Sequence, residues 1–327
     1  MSVSPVLEVN HLVKVFTTGF FQKKVIKAVD DVSFEISKEE PVVLTLAGES
    51  GSGKSTICKL LLKLMNPTSG KIFYNGRNLS NMSRKEMLAY RKDVQPVFQS
   101  PYETYNPFYR VDHMLKMPIR KLKLAGSDAE ENRLIAEALE VVGLLPEKVL
   151  NKYPHEFSGG ERQRIMLCRA ILTKPQIILA DEPVSMIDAS LRANILDFIL
   201  DQKKIYGRSF VYITHDLSTA YHISDRILIL YRGSVVESGE VERVLKNPLH
   251  PYLKELIESI PIPDPEKRWK KAIELKAELT TCGTDVHGCK FYRRCPARMK
   301  VCLSAKPKPI QKELDHVVTC YLYSDSE

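Results

Sequence analysis

The chain has 327 residues, which is long enough for one large domain or for a large domain and a small one. Its composition, with 44% hydrophobic and 27% charged residues, is typical of a globular protein. Apolar stretches such as Pro41–Ala47 are too short to cross a bilayer, and no signal peptide is expected, so we expect any membrane role to come through a partner. The net charge of +8 would suit binding to a nucleic acid, an anionic membrane or a phosphate ligand. The Lys and Arg residues are not concentrated in one dense segment, however, which favours a solvated basic surface.

The first part of the chain predicts strands around a glycine-rich loop. Residues 6–16 and 32–36 alternate as strands do, and the segment 19–24 between them predicts a hairpin. A buried strand is predicted at Val42–Ala47, and a helix from about Lys54 to Met65 follows the loop.

The rest of the chain predicts a helical insertion followed by alternating strands and helices. Spacing of apolar residues predicts helices over Arg84–Arg91, Asp112–Leu124, Asp128–Val142, 160–173, 189–205 and 217–224. Short β-rich runs lie at Ile177–Ala180, Phe210–Thr214 and Arg226–Tyr231. This order indicates parallel βαβ units, and the prolines between Ile260 and Pro265 predict a break before a cysteine-rich tail.

The segment Gly48–Thr56 matches the pattern GxxxxGK[ST] between a predicted strand and a predicted helix. Glycines let the backbone curl so that its N–H groups face a phosphate, and the helix N-terminus adds positive charge. Lys54 is expected at the β- and γ-phosphates of ATP, and Ser55 at Mg²⁺. A glycine-rich turn without a ligand is the disfavoured alternative. The predicted nucleotide contacts in this loop are Gly48, Ser50, Gly51, Ser52, Gly53, Lys54, Ser55 and Thr56.

Polar side chains follow three predicted strands whose ends should share one sheet edge. Asp181 is expected to hold Mg²⁺, and Glu182 to orient or deprotonate the attacking water. His215 is expected beside the γ-phosphate, and Gln99 beside Mg²⁺ or the water. Each of these residues alone would more often cap a helix or have a structural role. The catalytic interpretation therefore depends on their occurring together with the phosphate loop.

A second predicted anion site, Ser158, Gly159 and Gly160, opens the helix at 160–173. It is separated from the phosphate loop by the helical insertion, so we expect the two sites not to meet on one phosphate within one chain.

With this second site the chain resembles the ABC ATPases, whose LSGGQ signature stands here as Phe157–Glu161. The resemblance spans roughly residues 5–260, although Phe157 and Glu161 depart from the commonest signature letters. It implies a head-to-tail pair of ATPase subunits in which each signature closes over the other's nucleotide. It also implies that Phe16 stacks on adenine, that Gln99, Asp188 and His215 are the Q-loop, D-loop and switch residues, and that Glu182 is catalytic.

The resulting expected fold is α/β, a P-loop NTPase core with an antiparallel β subdomain and a helical insertion over about 100–165. We expect residues 1–260 to form the nucleotide-binding domain and 261–327 a small cysteine-rich domain.

Three further segments resemble the ATPases of oligopeptide, dipeptide and nickel importers. They are Gln99–Tyr102 with Asn106-Pro107, Tyr153–Gly160 and Asn247–Tyr252, and Ser100 replaces the usual Asp of the first. The resemblance implies a non-identical ATPase partner, two membrane permeases, an extracellular solute-binding protein and a peripheral place on the cytoplasmic face of the membrane. Peptides, oligosaccharides and nickel remain open as solutes.

Five cysteines cluster in the tail, where Cys289, Cys295, Cys302 and Cys320 have the spacing x5, x6 and x17, and Cys282 is a spare. Four thiolates suit a zinc ion or a [4Fe–4S] cluster, and the lack of tight pairs favours the cluster, as does the resemblance to importer ATPases. Free thiols in a small appendage are the alternative. Cys58 and Cys168 are expected to be buried thiols.

The leading hypothesis is therefore an importer ATPase without a nucleic-acid partner. A different hypothesis is an ABC ATPase that acts on DNA or ribosomes, but such proteins usually carry a coiled-coil or zinc insertion or two ATPase units, which this chain lacks. An ABC exporter is a third possibility, which the lack of fused membrane helices disfavours.

Overall fold

The structure is a computed structural model that describes residues 5–19, 24–100, 105–260 and 287–324. Residues 20–23 of the predicted hairpin, the segment Pro101-Tyr102 and Cys282 lie outside the described residues, as does the predicted domain boundary near 261.

Twelve strands are found in the described part of the chain. They are β1 (Pro5–Thr18), β2 (Lys24–Ser37), β3 (Val43–Ala47), β4 (Ser69–Tyr74), β5 (Arg77–Asn78), β6 (Val94–Val97), β7 (Ile177–Asp181), β8 (Ser209–Thr214), β9 (Arg226–Tyr231), β10 (Ser234–Glu240), β11 (Ile310–Glu313) and β12 (His316–Val318).

The α-helices of the same ranges follow the predicted order closely. They are α1 (Lys54–Leu61), α2 (Arg84–Asp93), α3 (Val111–Leu122), α4 (Asp128–Val141), α5 (Pro146–Val149), α6 (Gly159–Ile171), α7 (Ala189–Tyr206), α8 (Leu217–Ile223), α9 (Val241–Lys246), α10 (Pro251–Glu258) and α11 (Val301–Ser304).

Two sheets form the frame of the molecule. The smaller sheet is antiparallel, with the order β2-β1-β4-β5, and the larger has the order β11-β12-β10-β9-β3-β8-β7-β6. Strands β9, β3, β8, β7 and β6 run parallel to one another, so their carboxyl ends meet at one edge. The expected α/β fold with an antiparallel subdomain is therefore confirmed.

The parallel strands are covered on both faces, which explains why they read as continuous apolar runs. Successive residues of β7 alternate between two cores: Ile178 and Ala180 pack with the helical insertion, while Ile177 and Leu179 pack with the antiparallel sheet. The period of two follows from the pleat of a strand. The large sheet is thus held between the two parts that the sequence predicts.

The described part of the cysteine-rich tail does not stand apart from the nucleotide-binding fold. Strand β12 pairs with β10 and extends the large sheet, and Phe291 is fully buried in a core shared with β9 and α10. A buried pair ties the same region together, because His316 Nε2 lies 2.8 Å from Glu237 Oε1. A separate cysteine-rich domain with a core of its own is therefore not confirmed.

Candidate active site

The phosphate loop joins β3 to α1 and depends on two glycines with positive φ. Gly48 has a φ of 146°, and a Cβ there would lie 2.2 Å from the carbonyl oxygen of Leu230. Gly53 has a φ of 104°, and a Cβ there would lie 2.3 Å from the carbonyl oxygen of Ala28. Neither position has room for a side chain, so the curl of the loop requires glycine at both.

Lys54 is buried inside the curl of this loop. Its Nζ donates hydrogen bonds to the carbonyl oxygens of Gly48 at 2.7 Å and Glu49 at 2.9 Å, and to Ser52 Oγ at 3.3 Å. Burial lowers the pKa of Lys54, while the nearby carboxylates of Glu182 and Asp181 act in the opposite direction. The ammonium group is thus aimed at the space that the loop encloses.

The ends of the three parallel strands β6, β7 and β8 bring three predicted side chains into contact. Gln99 Nε2 donates to Glu182 Oε2 at 2.8 Å, and His215 Nδ1 lies 3.0 Å from Glu182 Oε1. On the phosphate-loop side, Ser55 Oγ donates to Asp181 Oδ1 at 3.4 Å. The structure therefore joins the predicted carboxylates to both the loop and the strand-end residues.

Glu182 holds a backbone conformation that few residues other than glycine adopt, with a φ of 47°. The Glu182 N–H donates to the carbonyl oxygen of Ile213 at 2.9 Å, and the hydroxyl of Ser185 donates to the carbonyl oxygen of Glu182 at 3.0 Å. These bonds fix the carboxylate at the sheet edge. The part that Ser185 plays was not predicted, since a serine in a loop carries no distinguishing pattern. Burial raises the pKa of the neighbouring Asp181.

Ser158 is the N-cap of α6, where its hydroxyl accepts a hydrogen bond from the Glu161 N–H at 3.3 Å. The Glu161 carboxylate in turn accepts from the Ser158 N–H at 2.9 Å, which completes a capping box. That backbone bond is the main reason why the pKa of Glu161 is lowered. Gly159 and Gly160 form the first turn, so the predicted anion site lies at a helix N-terminus.

The remaining predicted nucleotide contacts lie on exposed or half-buried backbone. Phe16 lies in β1 opposite Ile26, with the Lys14 ammonium 5.3 Å from its ring centroid. Asp188 is exposed and precedes α7. Ser50 and Gly51 are exposed in the phosphate loop, and Thr56 lies in the first turn of α1.

The four tail cysteines that the structure describes lie near one another. The Cys289 N–H donates to the carbonyl oxygen of Cys302 at 2.8 Å. Burial raises the pKa of Cys320 to about 11, and the charges of Cys289, Cys295 and Cys302 contribute to that rise. However, the described ranges contain no group of three or more His, Cys, Asp or Glu side chains placed to hold a metal ion. The predicted cluster is therefore not confirmed. Cys58 and Cys168 are buried thiols, as predicted.

Comparison with known sequences shows which family this geometry belongs to. Residues 29–185 match the profile of the ABC transporter family, and residues 236–302 match the oligopeptide/dipeptide transporter C-terminal region. The chain belongs to the ABC transporter family as one of its ATP-binding proteins, and it binds and hydrolyses ATP. In the described residues, no helix has the length and apolar character needed to span a bilayer.

Relatives of the chain match it along almost its whole length. It is 41% identical to YkfD of Bacillus subtilis strain 168, over 99% of this chain and 97% of that protein. It is 38% identical to the oligopeptide transport ATP-binding protein AppF of the same strain, covering 98% of each. It is 37% identical to the oligopeptide transport ATP-binding protein OppF of Haemophilus influenzae, covering 96% of each.

Among solved structures, the fold is similar to the ATP-binding cassette MJ0796, seen as a dimer in a post-hydrolysis state bound to ADP and Pi. The TM-score is 0.64 at 26% identity, and the match covers 72% of this chain and 98% of that one.

Proposed function

We propose that this chain is the ATP-hydrolysing subunit of an importer for oligopeptides. The proposal is supported by the names of the relatives AppF and OppF and by the match to the oligopeptide/dipeptide transporter C-terminal region. ATP binding would draw two ATPase subunits together, and hydrolysis would release them. The resulting motion would drive permeases that pass the solute inward.

The single observation that carries the catalytic part is the contact of Glu182 with both Gln99 and His215. In our proposal Glu182 is the general base for the attacking water, because its carboxylate lies where the strand ends face the phosphate loop. His215 and Gln99 orient that carboxylate and the water through hydrogen bonds. This arrangement is the water-positioning part of a phosphoryl-transfer site.

Magnesium is proposed to lie between the phosphate loop and the end of β7. Ser55 and Asp181 are 3.4 Å apart through Oγ and Oδ1, and both supply the oxygen ligands that Mg²⁺ prefers. Gln99 would approach the ion from β6. Mg²⁺ would neutralise charge that develops on the phosphate oxygens, while Lys54 and the loop N–H groups hold the phosphates.

The signature at Ser158, Gly159 and Gly160 is proposed to serve the nucleotide of a second ATPase subunit. The dimer of the similar cassette MJ0796 supports a paired arrangement. We further propose that the partner is a non-identical paralogue and that two permeases and an extracellular solute-binding protein complete the importer. The chain would then lie on the cytoplasmic face of the membrane.

For the tail we propose a [4Fe–4S] cluster held by Cys289, Cys295, Cys302 and Cys320. The lack of tight pairs among these cysteines and the backbone hydrogen bond between Cys289 and Cys302 support it. A zinc ion is the alternative, because four thiolates can also bind zinc tetrahedrally. The cluster would hold a short segment in place. Anaerobic purification with a visible spectrum and an iron assay tests this, and a colourless protein with zinc instead of iron would contradict it.

The importer function is tested by isolating the proteins that co-purify with the chain from membranes and reconstituting them in vesicles. We expect oligopeptides, presented with the solute-binding protein, to stimulate ATP hydrolysis and to accumulate inside. A preparation that responds to a different solute, or a chain that binds nucleic acid tightly with strong salt dependence, would contradict the proposal.

A further inference from the structure

Glu49, the second residue of the phosphate loop, is bound by an arginine from the cysteine-bearing tail. Arg294 Nη1 donates to Glu49 Oε2, and Nη2 donates to Glu49 Oε1, both at 2.9 Å. This bidentate ion pair joins residues that are 245 positions apart. Such a fork is among the strongest and most directional ion pairs in proteins. Arg294 also donates to Glu255 Oε1 at 2.5 Å, so it bridges two carboxylates.

The backbone of Glu49 is held by two further side chains. Its N–H donates to the hydroxyl of Tyr252 at 2.9 Å, and its carbonyl oxygen accepts from Lys54 Nζ at 2.9 Å. The ring of Tyr252 is fully buried and packs against Phe291, at a centroid distance of 5.5 Å. The Arg294 guanidinium lies 5.4 Å from the Phe291 ring centroid, so it rests on this aromatic cluster. The position of Glu49 therefore depends on packing with the tail.

Arg294 is fixed in a turn that also carries two of the cysteines. The N–H groups of Arg294 and Cys295 both donate to the carbonyl oxygen of Phe291 at 3.0 Å, and Cys289 lies two residues before Phe291. A second link runs through Lys290, whose Nζ donates to the carbonyl oxygen of Arg232 at 2.7 Å. The next residue in that loop, Gly233, donates its N–H to the carbonyl oxygen of Ser52 at 2.8 Å. The tail thus contacts the phosphate loop directly at Glu49 and, through Arg232 and Gly233, at Ser52.

The charge of Glu49 has the wrong sign for a loop that receives polyphosphate. The carbonyl oxygen of Glu49 accepts from Lys54 Nζ at 2.9 Å, so this residue stands next to the ammonium that is expected at the phosphates. A neighbouring negative charge would repel the nucleotide unless a cation neutralises it. Arg294 is that cation, because a guanidinium stays protonated in proteins and two of its N–H groups donate to the two oxygens of Glu49.

We propose that Arg294 is a positioning residue for the phosphate loop: by pairing with Glu49 it neutralises and fixes this part of the loop, so that the cysteine-bearing turn sets the affinity for nucleotide. The proposal rests on nucleotide binding at Gly48–Thr56 and not on the identity of the transported solute. It gives the tail a function in the ATPase cycle.

The test is the dissociation constant of Mg-ADP for the full-length chain, measured by isothermal titration calorimetry. Arg294→Gln is expected to raise it about tenfold, the effect of losing a charge-assisted pair worth about 1.4 kcal/mol. Adding Glu49→Gln to that variant is expected to restore affinity to within about threefold, since the uncompensated carboxylate is then gone. The tenfold difference should also shrink as salt concentration rises, because Glu49 is partly exposed to solvent.

Two variants serve as controls. Arg298→Gln removes the same charge from the same segment, where the guanidinium lies over the Tyr292 ring, and should leave the constant unchanged. Arg294→Lys keeps the charge but loses the fork, so a rise of about threefold is expected; it also carries the test if the glutamine variant does not fold.

Each of three results would overturn the proposal. The first is an unchanged constant in a folded Arg294→Gln or Arg294→Lys chain. The second is an equal loss in Arg298→Gln. The third is a double variant that binds as weakly as Arg294→Gln, because a merely structural role for the arginine would not be relieved by neutralising Glu49.

Discussion

The two halves of the proposed catalytic machinery are built in opposite ways. At the sheet edge, Glu182 is held by Gln99, 83 residues away, and by His215, 33 residues away. At the signature, Ser158 exchanges its hydrogen bonds with Glu161, three residues away in the same helix turn. The first group is assembled by the fold of the chain, and the second is assembled by one helix terminus.

This difference fits a site shared between two subunits. The residues proposed to activate water need a fixed mutual geometry, which the ends of three parallel strands provide within one chain. The signature has only to offer a hydroxyl and helix N–H groups, and a locally stabilised helix N-terminus can offer them to a second molecule. The comparison predicts that a variant in either region lowers ATP turnover while the chain still binds nucleotide.

The largest effect is expected at Glu182. In Glu182→Gln the side chain keeps its shape and can still bond to its neighbours, but it cannot accept the proton of the attacking water. ATP turnover, measured as phosphate release by the assembled transporter, should fall at least about 100-fold. ATP should still bind and should accumulate in a closed dimer. Glu147→Gln, at an exposed carboxylate, is the matched control, and undiminished turnover in Glu182→Gln would remove the proposed base.

The next effect is expected at Ser158. Ser158→Ala removes the hydroxyl proposed to reach the partner's phosphate, so turnover should fall about 100-fold. The dissociation constant of Mg-ADP for the isolated chain should stay unchanged, because this chain's own phosphate loop is intact. A Ser158→Ala chain that binds nucleotide more weakly by itself would show that both halves act within one subunit.

Local motifs account for the parts of the site that could be predicted from sequence. The phosphate loop is one contiguous segment, and its pattern of glycines and lysine predicts a single loop geometry. The meeting of Gln99, Glu182 and His215 followed from a general rule, that parallel strands deliver their carboxyl ends to one edge. Each strand end could be placed because the strands themselves are short apolar runs, as at Phe210–Thr214.

Contacts between distant segments account for what was not predicted. Strands β11 and β12 extend the large sheet. The sequence pattern of a strand does not indicate which other strand it pairs with, so this pairing could not be predicted. Glu237 lies in the middle of β10 as a buried acid and needs His316 beside it, so the pattern of β10 does not alternate cleanly. The bond of Arg294 to Glu49 likewise depends on tertiary packing alone.

A smaller effect on nucleotide affinity is expected from alkaline pH. It concerns the phosphate loop beside the sheet edge and not the signature. Because burial lowers the pKa of Lys54, its ammonium should lose its proton at a lower pH than an exposed lysine. Affinity for Mg-ADP should therefore decline as pH rises toward the usual lysine range, and titration calorimetry at a series of pH values measures it. Lys54→Arg, which stays charged, should show a flatter profile. An affinity of the native chain that is constant up to the ordinary lysine pKa would contradict this.

The smallest effect is expected at the capping box of the signature helix. Glu161→Ala removes the carboxylate that accepts from the Ser158 N–H, which should lower the free energy of unfolding by about 0.5–1 kcal/mol in denaturant titrations. Glu161→Gln keeps an acceptor oxygen and should lose less. Because the folded-state pKa of Glu161 is lowered, its contribution is present above the ordinary glutamate pKa and is lost as pH falls below it. The native chain and Glu161→Ala should therefore converge in stability at acid pH. If they do not converge, the start of α6 is stabilised by contacts elsewhere in the fold. The signature would then depend on tertiary contacts, as the sheet edge at Glu182 does, and the contrast between the two regions would fail.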